Sequence, residues 1–434
     1  AKAERFSEAV DHRKEAGLRA KNASSNQEAA SHLEMALRHL DKEAPSSLRD
    51  QRELELQAPL ALAVTALFGY GSPKTGAVYE RAFTLSRNVD NPPEIFQIMY
   101  GLSQNRALGE KFEEGVSIAR ELASYADKAG NKPGYMVAHR WLGSVLMFVP
   151  DYELAKKHCE KAVTAYEELN SRSLVHEYGI DPKAQGLVCL ACIQILRGFP
   201  DQAAELTEEA VSYADSLNFP FVTAYVHWMA AVSCQWLADR EQTTKHANAV
   251  LPIAVEKQIR LFESMALILG GWAEHFENND IQSLKKIQVG FTKYDLSTFM
   301  TFFQLNTHID ALIRLNQIDR AKEVIARALM MTDEQGARSL LPETLRLDAV
   351  SNLKQKKPDP AKAEIIFLQS IELAKSQKSK LWELRSATSL ARLWGEGKER
   401  QKAYDLLFPI YDWYTEGFDT FDLKEGKVLL QELQ

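Results

Sequence analysis

Small and apolar side chains return along this chain at intervals of about forty residues. The pattern is clearest over 151–163, where Ala155 and Ala162 stand seven apart behind the turn Pro150-Asp151. Seven residues make about two helical turns, so both fall on one stripe of a helix. A small side chain there lets a neighbouring helix approach closely. The first small position recurs at Ala29, Thr75, Gly115, Ala155, Ala203, Gln242, Ser283, Ala321, Ala363 and Ala403. Its partner recurs at Ala36, Ala82, Leu122, Ala162, Ala210, Ala249, Gly290, Ala328, Ser370 and Ile410. Gln242, Leu122 and Ile410 depart from the small-residue rule and mark degenerate units.

Between these helices lies a second set, more apolar and more aromatic, at 135–148, 183–198, 222–238, 261–276, 299–315 and 381–394. Several carry a small residue mid-helix: Gly143, Ala191, Ala230, Gly271. The turns hold Pro150-Asp151, Gly198-Phe-Pro200-Asp201, Asn278-Asn-Asp280 and Pro358-Asp-Pro360, the breakers expected between helices. An Asp before a helix can accept from its first free N–H groups. No stretch alternates as a strand does. The pattern predicts an all-α fold, a right-handed α-α superhelix (solenoid) of about ten helix pairs. One pair cannot bury both apolar stripes, and stacking does. Residues 1–23 read as a leading helix, a cap or a junction to an upstream domain. Residues 24–434 read as the repeat array, closed by a capping helix near 423–433. Insertions at 44–57, 130–134 and 171–182 are expected to be loops on one face.

Composition narrows the function classes. A net charge of −7 supplies no basic face for nucleic acid. The longest apolar runs fall short of the ~18 residues a membrane span needs. Four cysteines, Cys159, Cys189, Cys192 and Cys234, are too few for a disulfide scaffold and fit a reducing compartment, so a cytoplasmic location is expected. The chain opens at Ala1 without a methionine and is read as a piece of a longer protein.

The unit around Trp141-Leu142-Gly143, Tyr152, Ala155, His158 and Ala162 resembles the tetratricopeptide repeat, with helices longer than its usual 34-residue period allows. In this it looks like the long-helix variety found in large bacterial signalling ATPases and in the maltose-regulon activator. A closer resemblance lies in Trp382-Glu-Leu-Arg-Ser-Ala-Thr-Ser-Leu-Ala-Arg-Leu-Trp394 and in the segment from Pro409 to Glu425. Glu177-Tyr-Gly-Ile-Asp-Pro182 and Gly198-Phe-Pro-Asp-Gln-Ala203 agree with it. These segments are similar to the C-terminal region of bacterial predicted ATPases that often carry a class III adenylate/guanylate cyclase domain. The resemblance runs from about residue 15 to 434. It implies a protein-interaction and regulatory region that holds a protein or peptide partner, or the upstream ATPase and cyclase domains of its own parent. It brings no catalytic residues, because those domains would precede residue 1.

Other chemistry is thin. Gly69-Tyr-Gly-Ser-Pro-Lys-Thr75 looks like a phosphate loop, but Pro73 stands where a glycine is needed and no strand precedes it. Cys189-x-x-Cys192 has metal spacing but lies in an apolar helix without a second ligand pair, so packing cysteines are expected. His227 and His275, beside Trp228 and Trp272, read as packed or groove-lining. The sequence therefore assigns no catalytic, cofactor-binding or metal-ligating residue, and predicts no enzyme activity in this chain. Aromatic anchors are common at interfaces. Trp228, Trp272, Phe299 and Phe303 are the candidates for a groove, and Trp413 and Tyr414 for a terminal docking surface. Packing between units is the competing reading for each. Two further functions stay open: a small-ligand sensor array, which predicts a closed pocket, and a stand-alone adaptor.

Overall fold

The structure, a computed structural model, describes residues 2–22, 25–89, 92–109, 111–169, 180–278, 281–293, 299–397 and 399–434, with the side chains of all but 2–5, 22, 275–278, 281, 299–303 and 335. The described residues form helices and no strand. Two compact units divide the chain at Ala138 and His139. Unit 1 holds α1 (Lys2–Asn22), α2 (Asn26–Leu40), α3 (Ser47–Phe68), α4 (Pro73–Ser86), α5 (Ile95–Leu108) and α6 (Phe112–Ala129). Helix α7 (Lys132–Leu146) spans the boundary. Unit 2 continues with α8 (Tyr152–Leu169), α9 (Pro182–Arg197), α10 (Pro200–Ser216), α11 (Pro220–Trp236), α12 (Arg240–Glu256), α13 (Arg260–Asn278) and α14 (Ile281–Lys293). It ends with α15 (Phe299–Arg314), α16 (Ile318–Gln335), α17 (Leu341–Lys354), α18 (Pro360–Ser376), α19 (Lys380–Gly395), α20 (Arg400–Asp412) and α21 (Phe421–Leu433).

The small-residue stripe is the seam of each helix pair. Ala29, Thr75, Ala155, Ala203, Ala321, Ala363 and Ala403 are all buried to 1% exposure or less. A Cβ added at Gly143 would lie 2.4 Å from Cys159 Sγ and 2.9 Å from the Ala155 carbonyl oxygen, so only glycine allows α7 and α8 their approach. One position moves. In α12 the buried stripe runs through Thr243 and Val250, whereas Gln242 and Ala249 are only partly buried. That unit is regular and was merely displaced by one residue in the sequence register.

Six turns of unit 2 share a left-handed residue. Gly198, Asn218, Ala238, Gln258, Asn316 and Lys378 adopt left-handed φ values between 53° and 92°. After five of them the next amide donates five residues back, as Phe199 does to Gln194, Asp239 to Cys234, Ile259 to Ala254, Gln317 to Leu312 and Ser379 to Ala374. This is the Schellman closure, which satisfies the last carbonyls of a helix and reverses the chain at once. The left-handed residue recurs at 198, 218, 238 and 258, a half-period of twenty residues that matches the forty-residue repeat.

Of the expected insertions, 44–57 is corrected. Only its first residues precede α3, whose N-terminus is capped by Ser46 Oγ accepting from the Arg49 amide at 3.2 Å, and the buried Leu54 and Leu56 hold that segment in the core. The expected loop at 130–134 shrinks to the turn Gly130-Asn131, with Gly130 at φ 65°. Of 171–182, residues up to 179 lie outside the described residues; Asp181 caps α9 by accepting from the Ala184 amide at 2.8 Å.

Unit 2 also closes on itself. The even-spaced inner helices α9, α11, α13, α15, α17, α19 and α21 pack each against the next, and α19 returns to touch α9. Hydrogen bonds seal the return. The Ser339 amide donates to the Phe148 carbonyl at 3.3 Å and Ser379 Oγ to the Leu196 carbonyl at 3.4 Å. Farther along, Glu416 accepts from the amides of Asp201 (2.9 Å) and Gln202 (3.1 Å), while the Gly417 amide donates to Asp201 Oδ2 at 3.0 Å.

Candidate functional site

A cleft of about 270 Å³ opens on the inner face of unit 2, lined by residues of α11, α13, α15, α17, α19 and α21. Helical spacing places its groups. On α19, Trp382, Arg385, Ser389 and Arg392 lie three or four residues apart and so share one stripe. The same spacing on α17 presents Glu343 and Arg346 together.

These groups form a continuous charged floor. Arg346 donates to both oxygens of Glu343, at 2.7 and 2.8 Å. Arg385 donates to both oxygens of Asp422, at 3.0 and 2.6 Å, and reaches Glu343 at 3.4 Å. It also donates to the carbonyl of Trp236 and lies over the Trp382 ring, 5.2 Å from its centroid. Such two-pronged guanidinium–carboxylate pairs fix geometry as well as charge. Asp310 accepts from Trp272 Nε1 and from Arg314 Nε, each at 2.9 Å. At the rim Arg392 donates to Glu425 at 2.6 Å.

Burial works against the charge of Arg385 and Arg346, but the facing carboxylates outweigh it and hold both guanidinium groups above their usual range. Burial likewise pushes the Asp310 carboxyl up, and Arg314 with the Trp272 hydrogen bond brings it net below the usual value. All three stay ionised. Buried charges in this density cost free energy unless each is paired and hydrogen-bonded, and here the pairs are made before any ligand arrives.

Trp272 belongs to this cleft and is 2% exposed. Trp228 does not; it is buried between Tyr225 and Phe262, its ring 5.6 and 5.8 Å from theirs. Phe299 and Phe303 stand on the first turns of α15, and their side chains lie outside the described residues, as does that of His275. Trp413 and Tyr414 pack onto the α9–α10 turn. Trp413 meets the Phe199 ring at 5.7 Å and Lys380 Nζ at 4.9 Å, and a Cβ at Gly198 would strike Trp413 at 2.7 Å. Trp413 also lines a second cleft of about 330 Å³ with Arg197, Phe199 and Tyr152.

His227 is buried in a pair, its Nδ1 2.9 Å from that of His246. The cysteines pack: burial pushes the Cys159 and Cys192 thiols up, and Cys189 Sγ rests 3.2 Å from Ser144 Oγ. The stretch 69–75 is an inter-helix turn, in which Ser72 Oγ caps α4 and Thr75 Oγ1 donates to the Gly69 carbonyl.

The charged floor was missed by sequence reasoning, because Arg and Glu on a helix ordinarily mark a solvated face. The available signal was the stripe Trp382-x-x-Arg385-x-x-x-Ser389-x-x-Arg392 within the segment 382–394. No group of three metal-binding side chains occurs among the described residues, and none of their helices is long and apolar enough to cross a membrane.

No family model and no curated protein matches this chain. Solved structures resemble it at low identity. A Rap protein complexed with competence and sporulation factor is 9% identical at TM-score 0.48, with 100% of each chain covered. Yeast Tom70 is 12% identical at TM-score 0.38, over 98% of this chain and 96% of its own. A signal transduction ATPase with numerous domains and a tetratricopeptide repeat sensor, from Pyrococcus horikoshii, is 12% identical at TM-score 0.33, over 92% of this chain and 55% of its own. What stands on the chain's own residues is an all-α array of stacked helix pairs.

Proposed function

We propose that this chain is a binding and regulatory array that holds a peptide or peptide-like ligand in the inner cleft of unit 2. The observation that carries the reading is the ion-pair floor of Glu343, Arg346, Arg385 and Asp422, which is rigid, polar and open to the cleft. A purely structural array would gain as much from apolar side chains there. In a longer signalling protein, of the ATPase and cyclase kind that the segments 382–394 and 409–425 resemble, occupation of the cleft would favour one state of the upstream domains over another. A ligand shifts such an equilibrium only by its difference in affinity for the two states.

The test is selection of a displayed random peptide library on the full chain, followed by titration of the enriched peptides against R314A and R392A. These residues sit at the rim, with side chains 37% and 51% exposed; R392A leaves only the half-exposed Glu425 without its partner, and R314A leaves Asp310 its Trp272 hydrogen bond, so thermal midpoints of both variants are read beside the titration. The reading expects binding to weaken at least tenfold in both. Peptides that bind both variants as well as the original chain, or no enrichment at all, overturn it.

A further inference from the structure

Size and charge balance restrict what the cleft can hold. Its volume of about 270 Å³ lies just below the ~300–1,000 Å³ of drug-sized pockets. A folded partner is excluded from it, and so is more than a residue or two of an extended chain. The lining carries four arginines, at 314, 346, 385 and 392, and the four carboxylates described above. It is dense in charge but neutral in sum. A phosphate group, with two negative charges, would face those carboxylates at close range. An apolar ligand would cover ionised groups without replacing their water. The ligand that leaves no charge uncompensated is itself neutral in sum and separated in charge.

The donors and acceptors with spare capacity are divided in the same sense. Arg346 Nη1 hydrogen-bonds among the described residues only to Ser389 Oγ, at 3.5 Å. Arg392 holds its carboxylate through a single nitrogen. Both donors stand on or beside the α19 stripe. The acceptor is Glu425, whose side chain is 41% exposed at the rim and which can take a second cation beside Arg392.

We infer that the cleft binds a small zwitterion of the α-amino-acid or dipeptide class, its carboxylate toward Arg346 and Arg392 and its ammonium toward Glu425. The inference rests on the peptide-holding reading above and names the part of the ligand that is seated. An amino acid and a dipeptide share the two charged ends, and the probes separate them.

Isothermal titration of the full chain uses the free α-amino acids and a set of glycine-containing dipeptides as probes. N-acetylated and C-amidated forms of each hit follow. At least one free zwitterion is expected to bind one per chain and to lose tenfold or more when either end is blocked. E425Q should weaken the free form tenfold but leave the N-acetylated form unchanged, while its thermal midpoint matches that of the original chain. Absence of binding by every zwitterion, or equal binding by blocked and free forms, overturns the inference. If library peptides still bind in an R392-dependent manner, the peptide-holding reading survives that failure; if they do not, both fall.

Discussion

The carboxylate of Glu416 caps a helix far earlier in the chain, accepting at 2.9 Å from the amide of Asp201, 215 residues before it. Asp201 answers by accepting from the Gly417 amide, so each segment satisfies the other's free N–H groups. Helix caps are usually local and contribute about 0.5–2 kcal/mol. This one ties α10 to the turn before α21. E416A should therefore lower the stability of unit 2 by about 1 kcal/mol, read by chemical denaturation. G417A should cost more. Gly417 has φ 77°, and an added Cβ would lie 2.0 Å from Pro200 Cγ, so alanine must open the seam. Amide exchange at residues 201 and 202 should quicken in both variants; unchanged protection there would refute the cap.

The left-handed turn residues offer the opposite sign. Ala238, Gln258 and Lys378 hold φ values of 55–57°, a conformation that costs an L-residue about 1–2 kcal/mol. Glycine avoids that strain but loses about 0.5–1 kcal/mol through its freedom when unfolded. A238G and K378G should each raise stability by about 0.5–1 kcal/mol in denaturant titrations. A loss in both would mean that the side chains contribute more than the backbone strain removes.

G143A tests the close approach of α7 and α8. Overpacking of this kind costs about 1–3 kcal/mol. Part of the clash is with Cys159 Sγ, so C159A in the same chain should restore part of the loss. Strict additivity of the two changes would show that they do not meet.

Stability should fall on mild acidification. Burial, then His227 and then Lys245, push His246 down to about 4; burial, then Arg320, does the same for His308. Both are neutral in the fold, whereas an unfolded histidine titrates near 6.5. Their contribution is complete above pH ~6.5 and is lost as pH falls towards 4, by on the order of 3 kcal/mol per histidine. Thermal midpoints across that window should show the slope, and H246Q with H308Q should flatten it. Asp181 works in the other direction, since burial raises its carboxyl despite the Ala184 and Tyr166 hydrogen bonds.

Two of the cleft's ion pairs should separate by burial. D422N leaves the buried Arg385 without its main partner and should cost about 3 kcal/mol. R392A removes an exposed pair and should cost under about 1 kcal/mol. Similar losses in the two denaturation curves would contradict the arrangement of the floor.

These predictions draw unequally on what the chain itself displays. The forty-residue register was legible because alanine and glycine at a helix crossing are a local requirement, visible at Ala155, Ala203 and Ala363. The Asp caps at Asp151 and Asp359 were legible for the same reason, and both accept from amides three residues on. The turns at Ala238, Gln258 and Lys378 were not, because nothing in those side chains announces a left-handed backbone. Helix α3 was missed since its charged start resembles a loop until Leu54 and Leu56 are seen in the core. The cleft was hidden for a different reason. Trp272 stands out in the sequence as an aromatic, but its partner Asp310 is 38 residues away, and Arg385 meets Trp236 across 149. Sequence periodicity carries no record of a turn of the array returning to its own start.

That return has a consequence for the order of folding. In an open stack of helix pairs, each unit can settle as soon as its neighbour has formed. Here the N-terminus of α10 waits for Glu416, and the carbonyl of Leu196 waits for Ser379. During synthesis the first helices of unit 2 leave the ribosome with this edge unsealed, and it stays so for the time taken to add some two hundred residues, on the order of ten to forty seconds at ~5–20 residues per second.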